Sequence, residues 1–191
     1  MKATELLAKQ TQIVGGRIAG LQGMSEAQWM ARPGQGRNRV GFTAWHMVAT
    51  RDWTIRSILQ AERPVGWEAP FAGSGIAKCD LPFGMSLEEA DLIAEAVTPA
   101  DVAAYSDAVT SEILRWLERT DEGALDAPPP NGRAHLVFSS RYDEAGYREE
   151  LDANSSGMSM TDWPTWQLLT RPAFAHCLFH LEEMEFAKTN A

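Results

Sequence analysis

Apolar side chains return every three to four residues along four long stretches of this chain, and no set of alternating runs competes with them. That period belongs to helices that bury one face, so the expected fold is all-α, a four-helix bundle. The first stretch runs from Ala3 to Met24, with Leu6, Leu7, Ile13, Val14, Ile18 and Leu21 on one face and close packing against a neighbour expected at Gly15 and Gly16. A short turn follows, with Ser25 as N-cap and Gln28 three residues on. The second helix is expected from Asn38, as N-cap, to about Ala61. Ser86-Leu-Glu-Glu opens a short helix towards Val97, and Thr98-Pro99 opens the third long one, with Val102, Tyr105, Val109, Ile113 and Trp116 or Leu117 facing inward. The fourth runs from Trp163 or Pro164 to Lys188, and Pro172 should kink or restart it. All of residues 1–191 are expected to form one domain.

Two connections are long for a bundle, Glu62 to Met85 between helices 2 and 3 and Asp121 to Thr161 between helices 3 and 4. The second holds Pro128-Pro-Pro-Asn-Gly132 and the apolar run Leu136-Val-Phe138. It reads equally as a lid over one end of the bundle and as a disordered excursion.

Charge narrows the function classes. A net charge of −9 repels phosphate backbones, which argues against nucleic acid as a partner. The one basic cluster is Arg32, Arg37 and Arg39, either a solvated loop or a small anion site. No stretch approaches membrane-spanning length and the N-terminus has no apolar signal core, so a cytoplasmic location is the default expectation. Cys79 and Cys177 form no CxxC or zinc-knuckle pattern, and Cys177 reads as a small core residue.

The chemistry concentrates in three of the four histidines. His176 and His180 stand at i and i+4, one turn apart on one helix face, where two imidazoles can grip one metal ion. They share a stripe with Ala173, Cys177, Met184 and Ala187. His46 sits far upstream, within about 60° of Phe42, Ala49 and Trp53 on the helical wheel, so it too faces inward. Spacing of this kind also arises by coincidence. Three inward imidazoles, however, all need partners, and one shared ion would satisfy them together. Such a site keeps open positions, as catalytic rather than structural centres do. Glu183 lies near the pair and reads as a carboxylate that orients a ligand, as a base, or as an ordinary surface glutamate. Thr43, Thr50 and Arg39 are expected near the His46 face. His135 is either a fourth ligand or a surface histidine. The segment is not HExxH, and no GxSxG, P-loop or CxxC competes with it.

At these residues the chain resembles the DinB/YfiT-like superfamily of four-helix bundle proteins. The second helix of that family carries a histidine midway, matched by His46 within Arg39-Val-Gly-Phe-Thr-Ala-Trp-His-Met-Val-Ala-Thr-Arg-Asp52. The family's last helix carries HxxxH followed by leucine, matched by His176-Cys-Leu-Phe-His180-Leu181. The glycine often found next is Glu182 here, and the two connections are longer than in a compact member. The resemblance implies His46, His176 and His180 as ligands of a divalent transition metal, zinc or nickel first among them. It also implies homodimerisation, a small-molecule substrate and a low-molecular-weight thiol as cosubstrate, in an S-transferase or isomerase reaction. Arg39 or loop residues would hold an anionic group. Two other classes stay open: a metal-dependent hydrolase with Glu183 or Asp52 as base, and a non-enzymatic metal- or ligand-binding bundle.

Overall fold

A computed structural model describes residues 1–68, 85–129 and 163–190; helices joined by short connections make up these segments, with no strand among the described residues. The expectations placed on Cys79, His135 and Leu136-Val-Phe138 fall outside them.

Helix α1 (Ala3–Ala19) ends in a tighter turn, Gly20–Gly23. Its buried stripe is Leu7, Val14 and Ile18, each worth about 1.5–3 kcal/mol when removed from water. Leu6 and Ile13, expected on the same face, are exposed: seven residues apart, they form their own row beside the buried one. Gly15 does pack closely, since a Cβ there would lie 2.4 Å from Thr110 Oγ1, whereas nothing approaches Gly16. The free backbone amides at the start of α1 are capped from afar by the Glu122 carboxylate, which accepts from Ala3 N at 3.1 Å and Thr4 N at 3.0 Å.

After the short α2 (Glu26–Met30), capped by Ser25 and Gln28 as the sequence indicates, α3 (Val40–Asp52) forms the centre of the bundle. Every residue of α3 is buried. Its N-cap is Arg39 rather than Asn38, and the Arg39 side chain makes no capping hydrogen bond. The helix continues through a wider turn, Trp53–Ile58, and reverses at Ala61, whose φ of 54° is left-handed. Helix α4 (Leu87–Ala96) starts with the expected capping box, Ser86 with Glu89, and α5 (Pro99–Arg119) with the expected Thr98 N-cap and Pro99, to which the structure adds a box with Asp101. Of the two candidates ending the α5 core face, Leu117 is the buried one and Trp116 only half-buried. The last long segment starts as α6 (Thr165–Thr170), widens over Arg171–Ala175 and resumes as α7 (His176–Asn190). Pro172 lies in the widened part, because its ring nitrogen cannot donate to the preceding turn.

Cross-helix pairs fix the directions. Asp52 meets Tyr105 and Arg56 meets Glu112, so α3 and α5 run parallel. Ala3 meets Glu122 while Gly15 abuts Thr110, so α1 runs against α5. Met47 meets Cys177 while Arg37 meets Glu183, so α7 runs against α3. The four long helices α1, α3, α5 and α6–α7 make the bundle, with α4 packed on α3. Among the described residues, no helix is long and apolar enough to cross a membrane.

Candidate metal centre

The widened turn at Pro172 ends at Ala175, and the regular winding of α7 begins at His176. From there the i, i+4 spacing puts His176 and His180 one above the other towards α3. On α3, His46 follows Phe42 by one turn, and the two rings stack at a centroid distance of 5.7 Å. The backbone around His46 is braced by threonines: Thr43 Oγ1 donates to Arg39 O at 3.1 Å and Thr50 Oγ1 to His46 O at 2.8 Å.

The three imidazoles converge. One ligand nitrogen from each of His46, His176 and His180 lies within 4.8 Å of the others, and His46 Nε2 is 2.8 Å from His176 Nε2. Ring centroids stand 4.4 Å apart for His176 and His180, 5.0 Å for His46 and His176, and 5.3 Å for His46 and His180. Their planes cross at 71° to 88°, so the rings meet edge to face around one region instead of stacking. A tetrahedral ion with nitrogen bonds of 2.0–2.1 Å asks for nitrogens about 3.3 Å apart. A small rotation of the His46–His176 pair reaches that, so the donor set fits a divalent transition metal. His46 is 9% exposed, whereas His176 and His180 are half-buried, so the cluster is closed towards α3 and open on the α7 side.

Protonation favours ligation. Burial, with the neighbouring His180 adding to it and Glu183 opposing, lowers the His176 pKa to about 4, so this imidazole is neutral at neutral pH. His180 Nδ1 lies 2.7 Å from Glu183 Oε2. A carboxylate there accepts the Nδ1 proton and leaves Nε2 free towards the cluster. Glu183 is therefore tied to a histidine rather than standing as an ordinary surface glutamate, and Arg37 Nη1 reaches its other oxygen at 3.5 Å.

Several sequence expectations change here. The fully buried stripe of α7 is Cys177, Leu181 and Met184, and the histidines flank it at the boundary rather than share it. Cys177 packs in the core and donates its thiol to Met47 O at 3.6 Å. Burial, partly offset by Arg51, pushes that thiol up to about 12, which leaves it unreactive. Arg39 pairs with Asp91 at 3.0 Å and with Glu95, and Arg32 shares Asp91, so α4 claims two of the three basic residues. Arg37 is the arginine beside the histidines. Thr50 is fully buried and its hydroxyl is bonded to the His46 carbonyl.

Asp52, weighed as a base, belongs to a separate cluster. Its carboxylate accepts from Tyr105 Oη at 2.6 Å, Gly66 N at 2.8 Å and Val65 N at 2.9 Å. Burial raises its pKa to about 6 against the pull of those donors and of Arg56. Beside it Arg51 is wholly buried, with Nη2 near Thr11 O at 3.3 Å and Thr110 Oγ1 at 3.2 Å, and with no acceptor for Nε or Nη1 among the described residues. The sequence signal for this polar layer is the pair Arg51-Asp52 inside an otherwise apolar helix, but its partners come from three other segments.

No curated protein and no solved structure matches the chain in the comparisons made. A family model described as the DinB superfamily matches residues 18–142, a span that contains His46 and ends before His176 and His180. Covering more than half of the sequence, with the bundle and the three-histidine cluster beside it, this match shows that the chain belongs to the DinB superfamily.

Proposed function

We propose that His46, His176 and His180 hold one divalent transition metal, zinc or nickel, and that the protein uses it to activate a low-molecular-weight thiol for S-transfer or isomerisation. The observation that supports this is the convergence of three imidazoles from two helices on one half-open point. A divalent ion held there would favour thiolate over thiol at neutral pH.

The chain's own residues supply the rest. Glu183 orients His180 through Nδ1, and Phe42 supports the His46 ring. Phe179, 58% exposed and packed edge-on against His180, gives the rim an apolar surface for the electrophile. Arg37, exposed and only loosely paired, takes the anion-holding role expected of Arg39. In S-transfer the thiol sulfur loses its proton to solvent and bonds to an electrophilic carbon while the departing group leaves with its bonding pair. In isomerisation the thiolate adds to one carbon of the double bond, the π pair moves onto the conjugated activating group, and after rotation that pair re-forms the double bond and expels the thiolate. Hydrolysis has less support, since Glu183 is committed to His180 and Asp52 to Tyr105.

Elemental analysis of protein made without a histidine tag tests the reading. About one zinc or nickel per chain is expected in the parent protein, with loss in both His46→Ala and His176→Ala. The metal-loaded protein should then turn over electrophiles only when a small thiol is present. Folded variants that keep their metal would end the three-histidine assignment, and thiol-independent turnover would end the thiol chemistry.

A further inference from the structure

The far end of the bundle holds a second polar cavity, unrelated to the histidines. Arg56 lies ten residues beyond His46, roughly 15 Å along the helix axis. There a cleft of about 380 Å³ is lined by Arg56, Arg63, Trp67, Glu112 and Arg115. Three arginines line it in a chain whose net charge is −9; Arg56 is already paired with Glu62 and Glu112, so Arg63 and Arg115 carry the spare positive charge. The one carboxylate in the wall is already saturated. Glu112 accepts from Arg56 at 3.1 Å, Gln60 at 3.0 Å and Arg115 at 2.6 Å. Burial raises the Glu112 pKa, but these three hydrogen bonds, with the Arg56 charge adding to them, outweigh it and hold it at about 2.

Donor capacity is left over. Each guanidinium carries five N–H groups. Arg115 gives one nitrogen to Glu112, one turn back on α5, and is otherwise largely exposed. Arg63 makes no ion pair among the described residues and lies over the Trp67 ring at 5.0 Å. The Trp67 ring forms part of the wall while its Nε1–H is shielded from solvent, so the indole offers a surface and a spectroscopic reporter and is not counted as a donor. The wall is also built in advance. Asp52 ties down Val65 N and Gly66 N, and Ala61 turns the chain at a φ of 54°, a conformation that costs about 1–2 kcal/mol outside glycine. Strain and a buried carboxylate are spent on placing Arg63 and Trp67 opposite Arg115.

We infer that this cleft is a binding site for a small organic or inorganic oxyanion, a carboxylate or phosphate group held by Arg63 and Arg115 against the Trp67 indole. The arginine fork suits the planar or tetrahedral oxygens of such groups. The inference is independent of the metal centre.

Nuclear magnetic resonance of the full chain tests it, reading the Trp67 indole proton, assigned through Trp67→Phe. Inorganic phosphate and citrate are titrated separately against sodium chloride of equal ionic strength, which distinguishes a phosphate from a polycarboxylate preference. A saturable shift of the Trp67 signal with at least one of them, at least tenfold weaker in Arg63→Gln and Arg115→Gln, is the expected result. Both variants should keep the parent's thermal midpoint, because neither group is buried. No saturable shift with either anion, or a shift equal to that in chloride, would overturn the site. So would a shift unchanged in both variants. Metal content is not read in this experiment, so its failure leaves the histidine assignment untouched.

Discussion

His46 and Asp52 stand six residues apart on the same buried helix, and they show two opposite ways of placing a polar group in a core. Asp52 is closed: Tyr105, Gly66 and Val65 deliver three donors to its two oxygens and no face is left to solvent. His46 is turned towards two other imidazoles on a half-exposed helix face, and each of the three places one ring nitrogen near the same region. A finished cluster fixes the fold. Three imidazoles gathered around one point could hold an ion.

The comparison breaks most sharply at Asp52. Asp52→Ala leaves three donors without an acceptor, two of them backbone amides, and should cost about 3 kcal/mol of stability by urea denaturation. Metal uptake of the folded fraction should be unchanged. If uptake falls with stability, the two clusters are one unit and the contrast fails.

A subtler effect lies in pH. The folded pKa of Asp52, about 6, is above its usual 3.8. Between these values the folded state binds more protons than the unfolded one, so this group's contribution falls as pH rises from about 4 to about 6. The folded pKa of His176, about 4, is below its usual 6.5, so its contribution is present above 6.5 and is lost as pH drops towards 4. In metal-free protein the two slopes oppose each other. His176→Gln should therefore lose on the order of 2 kcal/mol between pH 4 and 6, and Asp52→Asn should gain stability over the same range. Parallel profiles in the two variants would show that neither site titrates as described.

The smallest effect sharpens the open cluster. Glu183→Gln should weaken zinc or nickel affinity about tenfold, roughly 1.4 kcal/mol, through poorer orientation of His180. A competition assay against a chelator reads it. An unchanged affinity would return Glu183 to the status of a surface residue.

What could be read from the sequence was local. The caps at Ser25, Ser86 and Thr98 lie within four residues and emerge as expected. The His176–His180 pair depends on one helical turn, and the inward face of His46 on two. What could not be read was tertiary. Nothing near Asp52 announces Gly66 or Tyr105, and nothing near Glu112 announces Arg56. The role given to Arg39 went astray because Asp91, its partner, lies on another helix. Leu6 and Ile13 repeat with the helical period yet face out, because the period gives the direction of a stripe and not its width.

The His46–His176 pairing joins residues 130 positions apart. Closing so long a loop is slow and comes late in assembly. An unfolded or half-folded chain could offer an ion only the neighbouring pair on α7. High affinity would therefore belong to the assembled bundle alone, and metal retention during a denaturant ramp would report the breaking of long-range topology rather than the fraying of any one helix.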